Sequence, residues 1–194
     1  MEQALQEMPE MDVEIHWLPF FLDRKLPEDG KPVEEYYVGN YGDPKAGERM
    51  MPGLIQAGRK CGIDFETYYV NMARYRPTIR SHRLIHLAKR QNKQDEMVEE
   101  LFHMYYEEGK HLNSIEHLTE AASTVGLEGD IAAYLKSDQD EKEVFEEADK
   151  ALQYAEGVPT FLFTKPGTDL HHSFSGGQPP IACRKVFKAF SGRG

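Results

Sequence analysis

Cysteine is scarce in this chain. There are two, Cys61 and Cys183, and they form no Cys-x-x-Cys pair and no zinc-type cluster. Two distant thiols in a reducing compartment point to packed or indifferent side chains, because a long-range disulfide is disfavoured there. Long apolar runs are missing too. None approaches the ~20 residues of a membrane span. Met1 to Glu10 carries glutamates and no apolar stretch, so it does not read as a secretory leader. Positive charge is short as well. The formal net charge is −10, which argues against a nucleic-acid or anionic-membrane partner. The expected location is the cytoplasm.

What is present suffices for a core. The 194 residues are 40% hydrophobic, with ten Phe, ten Tyr and one Trp. That length suits one domain, or one domain with an insertion. Glu2 to Glu7 reads as the last turns of a helix, stopped by Met8-Pro9. From Asp12 to Phe21, Val13, Ile15 and Trp17 alternate with Glu14 and His16. This period of two predicts a strand with one buried face.

A long helical region follows. Pro32 suits the start of a helix to about Tyr41. Asp43-Pro44 suits the start of another to about Lys60, with a kink or break at Pro52-Gly53. Gly62 to Glu66 reads as a short extended piece. Thr78 is placed to cap a helix carrying Ile79, Leu84, Ile85 and Ala88. Further helices are expected over about Gln94–Glu108, Ile115–Val125 from a cap at Asn113 or Ser114, Leu127–Leu135, and Asp138 to about Glu156. There is no internal repeat.

Gly157-Val158-Pro159-Thr160-Phe161-Leu162-Phe163 interrupts that pattern. The apolar run is too short for a helix and rich in aromatics, so it reads as a buried strand. Proline lacks a ladder donor and belongs at the strand's mouth. An X-Pro bond is also the place where a cis peptide is cheap. A Pro-Gly turn, a partner strand over His171–Ser175 and a last helix over Ile181–Phe190 complete the chain.

Several patterns invite a chemical reading. His82 and His86 lie one helical turn apart, a spacing that suits a metal. The zincin Glu is absent, since Arg83 follows His82, so packing or surface bonding is the default and no metal site is expected. His171 and His172 face opposite sides of a strand and do not converge. Gly176-Gly177-Gln178 precedes a helix and offers backbone N–H groups to an anion. Glu99, Glu100, Glu107 and Glu108 read as solvated helix faces. Cys183 falls in the first turn of the last helix, where the dipole favours a thiolate, whereas Cys61 falls at a helix C-terminus, where it does not.

Val-Pro-Thr before an aromatic strand resembles the cis-proline loop of thioredoxin-fold proteins. The likeness extends along the chain. Val13-Glu14-Ile15-His16-Trp17-Leu18-Pro19-Phe20 resembles the second strand of the DsbA-like FrnE family. Ser81 to Ala88 is similar to that family's insertion helix, and Phe102 to Gly109 to the end of its next helix. Gly157-Val158-Pro159 and Ser175-Gly176-Gly177-Gln178-Pro179 resemble its C-terminal loop and hairpin exit.

The resemblance implies an α/β, thioredoxin-like fold with an all-helical insertion. Residues 1–42 and 157–194 would form the thioredoxin-like domain, and 43–156 the insertion. It implies N-terminal truncation, because the family's first, central strand and its dithiol precede the part matched here. No catalytic residue is therefore expected, the dithiol being absent, and no cofactor. Thiol–disulfide oxidoreductase chemistry is the family's activity, while this chain as given is expected to lack it. Val158, Pro159 and Thr160 would meet a substrate, either a peptide or a small thiol or disulfide. The strand gap makes a homodimer one expected arrangement. Two alternatives stand beside this. One is a non-redox peptide binder using the proline groove. The other is a relative of the glutathione-dependent isomerases and kappa glutathione transferases. The latter hold glutathione with a Gly-Ser-Asp near the position of Gly176-Gly177-Gln178, where this chain has no Ser-Asp.

Overall fold

The computed structural model describes residues 1–71 and 73–191. Ten α-helices are described: α1 Glu2–Gln6, α2 Val33–Tyr41, α3 Ala46–Lys60, α4 Glu66–Asn71, α5 Ile79–Arg90, α6 Gln94–Phe102, α7 Ile115–Val125, α8 Ile131–Lys136, α9 Glu141–Ala151 and α10 Pro180–Ser191. Four short strands accompany them: β1 Lys31–Pro32, β2 Arg74–Tyr75, β3 Thr160–Thr164 and β4 His171–Ser175. β1 pairs with β2 and β3 with β4, both antiparallel. Among the described residues no helix is long and apolar enough to cross a membrane. The residues fall into two compact units, Met1–Phe20 with Glu147–Gly194, and Phe21–Glu146.

In the first of these, α1 packs on α10. Ala4, Met8, Cys183 and Phe187 form the buried centre, with Val13, Phe163 and Phe174 against it. Arg184 pairs with Glu7 and so links α10 to the end of α1. Lys165 Nζ donates to the Phe190 carbonyl at 2.7 Å, which fixes the hairpin to the last helix. The strand expected at Asp12–Phe21 does not form. The alternation is nonetheless real. Met11, Val13, Ile15 and Trp17 are each partly buried, and the residues between them are exposed. Alternation is a property of side chains, whereas a strand needs a partner's N–H and C=O groups. No ladder partner faces this segment among the described residues.

The second unit is helical. Leu84 and Ala88 of α5, Met97 and Leu101 of α6, and Leu118 of α7 share one core. The sequence reading of these helices holds because their apolar spacing is the 3.6-residue spacing of a buried stripe. Capping follows local chemistry at two starts. Ser114 Oγ accepts from His117 N, and Asp130 Oδ1 accepts from Ala133 N at 2.9 Å. Gly126 ends α7 at φ 73°, a left-handed conformation that glycine adopts freely.

Several details differ from expectation. Thr78 makes no side-chain cap on α5. α3 begins at Ala46 and runs unbroken through Pro52. Of the extended piece expected at Gly62–Glu66, Gly62 lies in a turn, Ile63 to Phe65 are irregular and pair with no strand, and Glu66 opens α4. α8 starts only at Ile131, and α9 spans Glu141–Ala151. The helix expected to reach Glu108 changes at Phe102 into a π-helical turn, His103–Glu107. One extra residue in that turn places Tyr105 and Tyr106 side by side, at 5.1 Å.

Those two rings belong to a tyrosine cluster. Tyr68 lies 5.0 Å from Tyr105 and 5.2 Å from Tyr106, ring centre to ring centre. Tyr75 stacks 3.9 Å from Tyr36, and its hydroxyl donates to that of Tyr37 at 3.4 Å. Burial pushes the Tyr105 phenol up to about 12, and holds Tyr68 and Tyr75 above the ordinary phenol range as well.

Candidate functional site

The residues expected to meet a substrate sit together on one turn. The Val158–Pro159 peptide is cis. Val158 is 53% exposed, Pro159 is exposed and Thr160 is partly buried. Local bonds fix the turn from both sides. Thr160 Oγ1 donates to the Gly157 carbonyl at 2.7 Å and lies 2.9 Å from Ser175 Oγ. Gly176 N donates to the Pro159 carbonyl at 2.8 Å. The loop is thus tied to the end of β4, and the Val158 side chain is left facing solvent.

The hairpin behind the turn has two distinct faces. Phe161 and Phe163 of β3 meet Phe174 of β4 at 5.0 and 5.2 Å, and Phe163 meets Phe187 of α10 at 6.0 Å. Leu162 points the other way and is 42% exposed. His172 lies on the Phe163 face. The neighbouring His171 sets its Nδ1 3.0 Å from the Asp169 carbonyl. Among the described residues β3 pairs with β4 alone. At the hairpin exit, Gln178 Nε2 donates to the Ser175 carbonyl at 3.1 Å. That side chain is therefore spent on its own turn.

The other candidates are placed as follows. Cys61 is exposed at the end of α3, and Cys183 is buried; both are free thiols. Cys183 is 3% exposed and packs in the core with Ala4, Met8 and Phe187. It serves there as a small hydrophobe. His82 packs its ring edge against Phe21 at 4.7 Å. Among the described residues no group of three or more His, Cys, Asp or Glu is arranged to hold a metal. Glu107 and Glu108 are more engaged than a solvated face. They receive His103 at 3.2 and 3.4 Å, and Lys110 reaches Glu108 and Glu120, each at 2.8 Å. The hydrogen bond to Glu107 holds His103 above the usual imidazole range. Sequence reading missed this network because the π-turn that gathers it leaves no compositional mark.

The thiols give a direct check. Ellman's reagent is expected to titrate Cys61 quickly in the native protein, and Cys183 only on unfolding. Two rapid equivalents would show that the core around Cys183 opens readily.

The family model described as DSBA-like thioredoxin domain matches residues 1–185. The uncharacterized protein YwbO of Bacillus subtilis is 26% identical over 157 residues, spanning 78% of this chain and 72% of that protein. A crystal structure of a probable DsbA oxidoreductase from Streptomyces coelicolor superposes with a TM-score of 0.82, covering 99% of this chain and 82% of that one. At 24% identity this likeness speaks for the fold. The chain belongs to the DSBA-like thioredoxin domain family.

Proposed function

We propose that this chain is a FrnE-type, DsbA-like protein of the thiol–disulfide oxidoreductase lineage that, as given, carries no dithiol turnover of its own. One observation carries the reading: its two cysteines, Cys61 and Cys183, form no Cys-x-x-Cys. Exchange begins when a thiolate attacks a sulfur, and a second thiol must then resolve the mixed disulfide. Cys183 is buried in the core, and Cys61 lacks a neighbouring thiol, being the other free cysteine at the end of α3. In this reading residues 43–156 are the helical insertion, 1–42 and 157–194 the thioredoxin-like part, and the location is cytoplasmic. The outer edge of β3 would take a strand from outside residues 1–194, from the same polypeptide or from a second copy in a homodimer.

Val158, Pro159 and Thr160 are the proposed contact for a peptide or a small thiol or disulfide. The exposure of Val158, and an outer edge of β3 without a ladder partner among the described residues, support a second reading, a peptide binder without redox chemistry. An extended peptide adds to such an edge through main-chain hydrogen bonds. A glutathione-dependent isomerase or transferase has less support, because Gln178 is held by the Ser175 carbonyl and no Ser-Asp follows Gly176.

The test is dithiothreitol-dependent insulin reduction by purified protein. No turnover above the reagent alone is expected. Turnover that vanishes in Cys183→Ser would overturn the proposal and make that thiol the reactive group. Saturable binding of glutathione would favour the transferase alternative instead.

A further inference from the structure

Tyr36 of α2 and Tyr75 of β2 stack with ring centres 3.9 Å apart and planes tilted by 34°. Aromatic pairs usually settle with centres ~4.5–7 Å apart, often edge to face. This pair is closer, and its ring carbons meet face to face. Other tyrosine pairs of the cluster lie at 5.0 to 6.4 Å, with their planes 51° or more apart.

The backbone beneath the pair is clamped. β1 runs directly into α2 and pairs with β2, with Lys31 opposite Tyr75. Val33 N donates to the Ala73 carbonyl at 3.2 Å, and Arg74 Nε to the Asp29 carbonyl at 2.7 Å. A Cβ on Gly30 would meet the Tyr75 carbonyl, so the two segments touch through their main chains. The rings are thus positioned in advance, which is what a coupling reaction requires. Both are partly exposed, and an oxidant in solution reaches them. Burial holds both phenols above their ordinary range. Each is therefore neutral and gives up its proton along with its electron.

We propose that Tyr36 and Tyr75 are a modification site, at which a peroxide-driven one-electron oxidant, such as the haem of a peroxidase, joins the two rings as dityrosine. Each phenol gives one electron to the oxidant and one proton to water. The two phenoxyl radicals join through ring carbons next to their oxygens. The hydrogens on those carbons then pass to the oxygens, and both phenols are restored. The chain has lost two electrons and two protons, and one hydrogen peroxide reduced to water accepts them. The product is a covalent staple between α2 and β2 that needs no cysteine.

The test uses the full chain with Cys61 alkylated, because an exposed thiol would reduce the radicals. Horseradish peroxidase and hydrogen peroxide are the probe. Monomer is expected to gain dityrosine fluorescence and to lose the mass of two hydrogens. One cross-linked tryptic peptide is expected, carrying Tyr36 and Tyr75. The melting midpoint of the treated monomer is expected to rise by roughly 5 °C, as for a covalent link closing a long loop. Tyr36→Phe keeps the ring and removes the hydroxyl, so the monomer emission is expected to vanish while native circular dichroism is retained. Tyr41→Phe, which removes the 55% exposed phenol of α2, is expected to leave it unchanged. Absence of emission would overturn the proposal. So would emission confined to covalent dimers, a monomer cross-link mapped to other tyrosines, or emission that survives in Tyr36→Phe. Should that variant fail to fold, peptide mapping of the unaltered chain decides.

Discussion

Arg83→Leu is expected to destabilise the Phe21–Glu146 unit by about 3 kcal/mol. Arg83 is 2% exposed yet carries a charge. It emerges from α5 and donates through Nε to the Gln139 carbonyl, and through Nη2 to the Tyr134 carbonyl, each at 2.7 Å. Its guanidinium also lies 5.0 Å over the Tyr134 ring. These acceptors belong to the end of α8 and the turn before α9. The Tyr134 carbonyl also receives Ser137 Oγ at 2.7 Å, so the variant loses two charge-assisted hydrogen bonds, each worth ~1.5–3 kcal/mol, and leaves one carbonyl still partnered. Removing a buried charge returns part of that, since its desolvation is also relieved.

Tyr134 makes the site more sensitive still. Its hydroxyl lies 2.9 Å from both the Arg83 carbonyl and Asp140 Oδ2, two acceptors for its one proton, and Asp140 in turn receives Arg90 at 2.5 Å. Arg83→Lys is expected to recover less than half of the loss, because an ammonium lacks the planar fork that reaches two carbonyls at once. Equilibrium urea denaturation followed by far-ultraviolet circular dichroism measures both variants. Stability of Arg83→Leu within ~0.5 kcal/mol of the parent, as for an ordinary surface change, would mean that water satisfies these carbonyls.

Phe187→Ala is expected to cost about 3–5 kcal/mol in the other unit, the range for deleting a buried aromatic. Phe187 is 3% exposed, and it joins α1, through Ala4 and Met8, to the hairpin, through Phe163. Few residues share that core, so little is left to close over the gap. Amide exchange across β3 and β4 is expected to accelerate together with Ellman labelling of Cys183. Unchanged exchange in the hairpin would show that its stability comes from elsewhere.

These two residues also illustrate what the sequence makes legible. Phe187 sits at helical spacing from Cys183 on an apolar face, so its burial is visible in the pattern. Arg83 is a cation at a buried position of an amphipathic helix, and its carbonyl partners lie more than fifty residues away. Nothing local announces it. The same division applies elsewhere. α5, α7 and β3 follow from periodicity and from the glycine, serine and proline that bound them. The alternation from Met11 to Trp17 predicts burial correctly but not a strand, because the pattern does not contain the partner. α4 is hidden by its short length and by Tyr and Val, which suit strands as well. At the candidate site, Val158, Pro159 and Thr160 are contiguous and therefore readable. The stacked pair of Tyr36 and Tyr75 draws on α2 and β2, and only folding brings them together.

The two units differ in their chromophores. The single tryptophan, Trp17, belongs to the unit containing α1, the hairpin and α10. Every tyrosine except Tyr154 belongs to the helical unit, where most are packed against one another. Red-edge excitation of Trp17 therefore follows one unit, while near-ultraviolet dichroism, dominated by the coupled phenols, follows the other. The protein carries two built-in and separable optical reporters. A mismatch between their unfolding curves would reveal non-two-state behaviour without any label.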